Sequence, residues 1–101
     1  MESMLQSEKE CFFCGQKTRL ERHHVMPGPN RKNSEKYGLT VWLCHEHHTG
    51  DTGVHMNRTK DEMLRYFAQK RFEDMLGHEL WMQVFGKNYL PNYGGDGDDD
   101  V

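Results

Sequence analysis

The chain has 101 residues, a formal net charge of -3 and a hydrophobic content of 35%. This length predicts one domain, and an apolar fraction below the usual value of about 45–50% predicts a thin core. Such small chains usually need a disulfide, a metal or a partner subunit, and three cysteines argue against a disulfide framework. No apolar run approaches the ~20 residues that cross a bilayer, which excludes a membrane-spanning protein.

The two ends of the chain are predicted to lie outside the folded domain. The polar first ten residues contain three glutamates and do not resemble a signal peptide, so we expect a cytoplasmic protein with a flexible N-terminal segment (residues 1–10). The last eight residues contain four of the 16 acidic side chains and predict a disordered acidic tail (residues 94–101). Residues 11–93 are then the single domain.

Away from that tail the charge is nearly balanced, with 13 basic residues against 12 acidic ones. Basic residues are in excess between positions 16 and 37, a range that holds Lys17, Arg19, Arg22, Arg31, Lys32 and Lys36 against two glutamates. Such a patch could contact a phosphate backbone, or it could be an ordinary solvated face.

The first predicted elements are two strands and the segment between them. Residues 19–26 could form a short strand, and residues 27–38 contain many helix breakers and predict a loop. Residues 39–43 predict a second strand, because Leu39, Val41 and Leu43 alternate with other residues and so share one face. Together they predict a splayed hairpin.

Helices are predicted for the rest of the domain. A short helical turn should begin at Cys44 and end at the following glycines. Residues 59–77 predict the clearest helix, with a capping box at Thr59 and Glu62 and an end at Gly77. A second, shorter helix follows. The apolar positions of the long helix are Met63, Leu64, Phe67, Ala68, Phe72, Met75 and Leu76, and the aromatic residues Phe67, Phe72, Trp81, Phe85 and Tyr89 are expected in the core.

The cysteines and one histidine have the spacing of a structural zinc site. Cys11 and Cys14 form a C-x-x-C half-site, and Cys44 and His47 form a C-x-x-H half-site after 29 intervening residues. Two such half-sites supply the four tetrahedral ligands that Zn²⁺ prefers. His45 is a possible substitute for His47, and three buried cysteines without a metal are the alternative interpretation.

A second group of histidines lies beside these half-sites. His23 and His24 are adjacent at the end of the first strand, and His48 follows the zinc ligand directly. Neighbouring side chains of a straight strand point to opposite faces, so the strand must end or twist if both histidines serve one site. The zinc would hold these histidines in place. His55 could supply a third imidazole or could cap a loop.

The order of these motifs, from the C-x-x-C half-site through the His-His pair to C-x-x-H-H, resembles the HNH nucleases with the ββα-metal fold, and in particular their small zinc-stapled phage members. The resemblance covers residues 11–55, and the helical part (residues 59–90) lies outside it. It implies a small α+β fold in which a zinc-stapled ββα-metal hairpin and helix are followed by two C-terminal helices. It also implies a bacterial host or phage-infected cell.

The resemblance implies a metal-dependent endonuclease that hydrolyses DNA phosphodiester bonds, with double-stranded DNA as the expected substrate. His24 matches the general base, while His23 and His48, with His55 as a further ligand, match the site of a catalytic divalent ion (Mg²⁺, Mn²⁺, Ni²⁺ or Zn²⁺). Arg22, Arg31 and Lys32 would contact phosphates. The middle Asn of the family is missing, because Gly38 and Leu39 occupy that region.

Two other functions fit the same residues. The chain could be a zinc-stapled nucleic-acid-binding module with weak or no activity, which the missing Asn favours. It could instead be an interaction or inhibitor protein that uses its C-terminal helices and acidic tail. Those helices could form a homodimer or simply cover the hairpin.

Overall fold

The centre of the fold is an antiparallel hairpin of two strands, β1 (Leu20–His24) and β2 (Thr40–Cys44). Leu20 pairs with Cys44 at one end and His24 with Thr40 at the other. The structure, a computed structural model, describes residues 2–90 of the chain. The predicted strands are confirmed, and the hairpin with its helices gives the small α+β architecture expected.

The segment between the strands is helical, so the predicted loop over residues 27–38 is wrong. A 3-10 turn at Gly28–Asn30 leads directly into α1 (Arg31–Tyr37), which ends at Gly38 with φ of 70°. Both prolines precede the helix, where a missing N–H costs little, and residues 31–37 contain no helix breaker. The breakers therefore mark the two ends of α1 and leave its interior intact.

A buried serine connects helix α1 to the segment after β1 through hydrogen bonds. The Ser34 hydroxyl accepts a hydrogen bond from Met26 N at 2.9 Å and donates one to Met26 O at 2.8 Å. Leu39 N donates to Ser34 O at 2.8 Å, which ties the same turn to the start of β2. These bonds fix the side of α1 that faces the hairpin.

Two further helices follow α2 (His45–His48), the short turn predicted after β2. Helix α3 (Arg58–Leu76) begins at the N-cap Asn57, whose side-chain oxygen accepts a hydrogen bond from Lys60 N at 3.0 Å. The predicted capping box at Thr59 is therefore wrong, because Asn57 already satisfies the first turn. Helix α4 (His78–Phe85) follows after Gly77, as predicted.

The core is built from the hairpin, α3 and α4. Leu64, Ala68 and Phe72 of α3 are fully buried, at positions four residues apart. Trp81 and Phe85 of α4 are also buried, and these two rings pack on Phe72, which confirms their prediction as core. Phe67 and Tyr89 are partly buried against the same cluster.

Helix α3 buries fewer of its apolar residues than their helical spacing predicts. Met63, Met75 and Leu76 are 49%, 61% and 44% exposed, whereas Gln69 is fully buried. The Gln69 amide donates to Glu73 and Asn88 at 2.7 Å, so its burial leaves no unsatisfied donor. The helix buries a narrow stripe because only one face meets the rest of the fold.

The N-terminal residues lie along the free edge of β2. Leu5 is buried, Met4 N donates to Gly38 O at 2.8 Å, and the Gln6 side-chain oxygen accepts from Trp42 N at 2.8 Å. The bond from Trp42 satisfies a backbone donor of β2 that an edge strand would otherwise expose. The flexibility expected for residues 1–10 stays a prediction, and the acidic tail lies outside the described residues. None of the helices within residues 2–90 is long and apolar enough to cross a membrane.

Candidate metal centres and active site

The first cluster joins the two half-sites predicted from the sequence. One ligand atom from each of Cys11, Cys14, Cys44 and His47 lies within 4.8 Å of the others. The hairpin register explains why, since Cys44 ends β2 and α2 turns His47 back toward the C-x-x-C turn. These four residues lie close enough to bind a metal such as zinc.

Three of the ligand separations in this cluster are near those of a tetrahedral site, although one of them is shorter. Bond lengths of about 2.3 Å for sulfur and about 2.0–2.1 Å for nitrogen require ligand separations of about 3.5–3.8 Å. Cys14 Sγ and Cys44 Sγ are 3.9 Å apart, and His47 Nδ1 lies 3.6 Å from Cys11 Sγ and 3.2 Å from Cys44 Sγ. His45, the alternative ligand, instead pairs through Nδ1 with Glu21 at 3.2 Å.

The surroundings of Cys11 favour its thiolate. Burial raises the pKa of this thiol, but hydrogen bonds from three backbone amides, including those of Cys14 and Cys44, outweigh burial and lower the pKa to about 6. The thiolate is the form that binds metal. The backbone of the turn therefore prepares Cys11 as a ligand.

The second cluster consists of three imidazoles. Ligand atoms of His23, His48 and His55 lie within 4.8 Å of one another, and His55 Nε2 is 3.1 Å from His48 Nε2. His23 comes from β1 and His48 from α2. The glycine-containing turn after α2 returns His55 to them, and its backbone N–H donates to His48 O at 3.2 Å. The structure thus brings together the three histidines that the sequence predicted as ligands.

His23 is the buried member of this cluster. It is 3% exposed, and its Nε2 has no hydrogen-bond partner among the described residues. Burial, with the charges of His48 and His55, lowers its pKa to about 3, so the ring is neutral at pH 7. A neutral imidazole nitrogen without a partner is costly to bury, and a bound cation would satisfy it.

Glu21 supports the second cluster from β1. Its Oε1 lies 2.7 Å from His48 Nδ1, so His48 donates through Nδ1 and offers Nε2 to the cluster. Hydrogen bonds from His48 and His45 lower the pKa of the Glu21 carboxyl. Carboxylates commonly orient metal-binding histidines in this way. Glu21 was not predicted as a site residue from the sequence, although it lies two residues before His23 and so shares its strand face.

His24 points to the other face of β1 and is not a member of the three-histidine cluster. Its Nε2 lies 2.9 Å from Glu35 Oε1 in α1. A cleft of about 270 Å³ is nevertheless lined by both groups: Arg22, His23, His24, Pro27, Gly28, Arg31, His48 and His55. The end of β1 thus allows adjacent histidines to border one space.

The predicted phosphate contacts differ in their surroundings. The Arg22 guanidinium is paired with Glu35, with Nη1 and Nη2 each 2.9 Å from a carboxylate oxygen. Arg31 and Lys32 are exposed in the first turn of α1, and Arg31 borders the cleft. Their contact with nucleic acid stays a prediction.

Comparisons of the chain with protein-family models, curated proteins and solved structures give no match. Inference about function therefore depends on the two clusters, the cleft and the motifs that supply them.

Proposed function

We propose that this chain is a metal-dependent endonuclease of the HNH type, with a ββα-metal fold, that hydrolyses phosphodiester bonds of DNA. The observation that carries the proposal is the convergence of His23, His48 and His55 on a cleft that His24 also borders. Metal ligands and a separate histidine around one small space are the groups that hydrolysis of a phosphodiester requires.

In this proposal the four-residue cluster holds a structural zinc ion. Its four ligand atoms lie within 4.8 Å of one another, two of their separations are near the tetrahedral value, and the low pKa of Cys11 favours its thiolate. Zinc bound at such a site contributes about 10 kcal/mol or more to folding at neutral pH. That contribution matters in a chain with a thin core, because native domains are stable by only about 5–15 kcal/mol.

The three-histidine cluster would hold the catalytic divalent ion. The neutral His23 ring has an unpartnered nitrogen, and His48 and His55 present their Nε2 atoms to each other. When bound, the ion would act as a Lewis acid for a phosphate oxygen and for the departing 3′-oxygen. Imidazole ligands suit Zn²⁺, Ni²⁺ and other transition metals, whereas Mg²⁺ prefers oxygen ligands.

His24 would act as the general base. Its imidazole accepts a proton from water as the water oxygen bonds to phosphorus in line with the leaving group. The bond between phosphorus and the 3′-oxygen breaks, and the 3′-oxygen takes a proton from solvent water, which gives 5′-phosphate and 3′-hydroxyl ends. Arg31 and Lys32 on α1 would hold neighbouring phosphates, whereas Arg22 borders the cleft but is paired with Glu35.

A nuclease assay combined with metal analysis tests the proposal. The purified protein should cleave plasmid DNA only when a divalent metal is added, and it should bind two ions per chain. His24→Ala should lower the cleavage rate about 10²- to 10⁴-fold, the contribution of a general base, while zinc content and thermal unfolding stay unchanged. If His24→Ala cuts as fast as the wild type, the general base is another group.

A nucleic-acid-binding module without activity is the second candidate, because His24 Nε2 is engaged by Glu35 and the middle Asn is missing. Metal titration separates the two, since the module would bind one zinc per chain. Either protein would lose DNA affinity steeply as salt rises.

A further inference from the structure

The partner of His24 is a carboxylate that no motif in the sequence predicts. Glu35 Oε1 lies 2.9 Å from His24 Nε2, and the His24 side chain is only 14% exposed. Hydrogen bonds from His24 and Arg22 lower the pKa of Glu35 to about 2, so the carboxyl is ionised at neutral pH. An ionised carboxylate only accepts hydrogen bonds, so Nε2 of His24 must carry the proton.

The tautomer of His24 follows from this contact. When Nε2 carries the proton in a neutral ring, Nδ1 has the lone pair and is the atom that can accept a proton. The contact with Glu35 is made through Nε2 and not through Nδ1. The carboxylate therefore selects one nitrogen of His24 as the basic atom.

The position of Glu35 is determined by the fold rather than by a mobile surface contact. The neighbouring Ser34 is fully buried and clips α1 to Met26 through two hydrogen bonds. Arg22, two residues before His24 on the same strand face, holds both oxygens of the carboxylate. Two bonds from Arg22 and one from His24 leave the carboxylate little rotational freedom.

We propose that Glu35 is the positioning residue of the general base, holding the His24 ring with Nδ1 as its proton-accepting atom. This inference rests on the proposed nuclease function. Helix α1, which lies between the two strands of the hairpin, would then contribute to catalysis, because it places the Glu35 carboxylate beside His24, the last residue of β1. It also supplies an orienting group for His24 in a chain that lacks the middle Asn.

Kinetics of three variants test the inference. Glu35→Ala should lower kcat about 10- to 100-fold, since orientation of a general base is worth part of the 10²–10⁴-fold that the base itself supplies. Glu35→Gln keeps an acceptor oxygen and should retain more activity than Glu35→Ala. Glu62→Ala removes a different exposed carboxylate, paired with Arg58 on α3, and should leave kcat unchanged.

A double variant separates a positioning role from a general structural one. If Glu35 acts through His24, adding Glu35→Ala to His24→Ala should cause no further loss of residual activity. A further loss of 10-fold or more in the double variant would overturn the inference.

NMR of ¹⁵N-labelled histidine supplies a readout that does not depend on activity. The wild type should show a proton on Nε2 of His24 that is shifted downfield and exchanges slowly, and Glu35→Ala should lose this signal. An unchanged signal in Glu35→Ala, or a kcat within twofold of the wild type, would overturn the inference. If instead His24→Ala keeps full activity, His24 is not the general base, and this result is distinct from one in which only the role of Glu35 is wrong.

Discussion

The exchange of His47 for alanine should remove the metal that stabilises the domain, whereas the same exchange at His45 should not. His47 Nδ1 lies 3.2 Å from Cys44 Sγ and 3.6 Å from Cys11 Sγ, inside the four-ligand cluster. The His45 side chain is 76% exposed and contacts the side chains of Glu21 and Thr49 at the surface. The pair is well matched, because both histidines lie on α2 and lose the same ring.

The expected loss of stability can be worked out from the part of the zinc-binding free energy that one ligand contributes. If about 10 kcal/mol of binding is divided equally among four ligands, His47 accounts for about 2.5 kcal/mol. That loss corresponds to zinc binding weaker by at least about 50-fold and to a melting temperature lower by about 10–20 °C. His45→Ala should change the free energy of unfolding by less than about 1 kcal/mol, the usual value of an exposed ion pair.

Competition with a chelator and thermal unfolding measure both quantities. Wild type and His45→Ala should retain zinc at chelator concentrations that strip His47→Ala, and only His47→Ala should melt early. If His47→Ala retains zinc and melts with the wild type, His47 is not a ligand. If His45→Ala is the variant that loses zinc, the alternative ligand predicted from the sequence is the correct one.

Two further predictions concern groups that support the site. Glu21→Ala should lower the affinity of the three-histidine cluster for a divalent ion about 10- to 100-fold, because His48 loses the carboxylate that orients it. Titration with Ni²⁺ or Mn²⁺ measures this affinity, and an unchanged value would contradict the prediction. Gly38→Ala should destabilise the domain by about 2–4 kcal/mol, because φ is 70° and the new Cβ would lie 2.3 Å from a backbone oxygen of Glu2. Gly28→Ala is the control, because φ is also positive there (65°) but no atom lies within 4 Å of the added Cβ. Chemical denaturation should therefore show a free energy of unfolding only about 1–2 kcal/mol lower.

Local patterns predicted most of the elements correctly. Strand β2 was found from the alternation of Leu39, Val41 and Leu43, and helices α3 and α4 were found from helical spacing and their terminal glycines. These signals are local, since strand alternation and helix capping depend on residues within a few positions of one another. The same local signals misread residues 27–38, where breakers at both ends concealed the seven-residue helix α1 between them.

The amino-acid sequence by itself predicted the four residues of the first cluster, with His45 as an alternative to His47, because the C-x-x-C and C-x-x-H spacings place pairs of metal-binding side chains on single turns. It also singled out His23, His48 and His55. Only the tertiary structure decided which carboxylates reach these histidines. Glu21 contacts His48 across 27 positions and Glu35 contacts His24 across 11, and such distances in the chain are closed by the hairpin register and by the packing of α1 and α2, which no local pattern encodes.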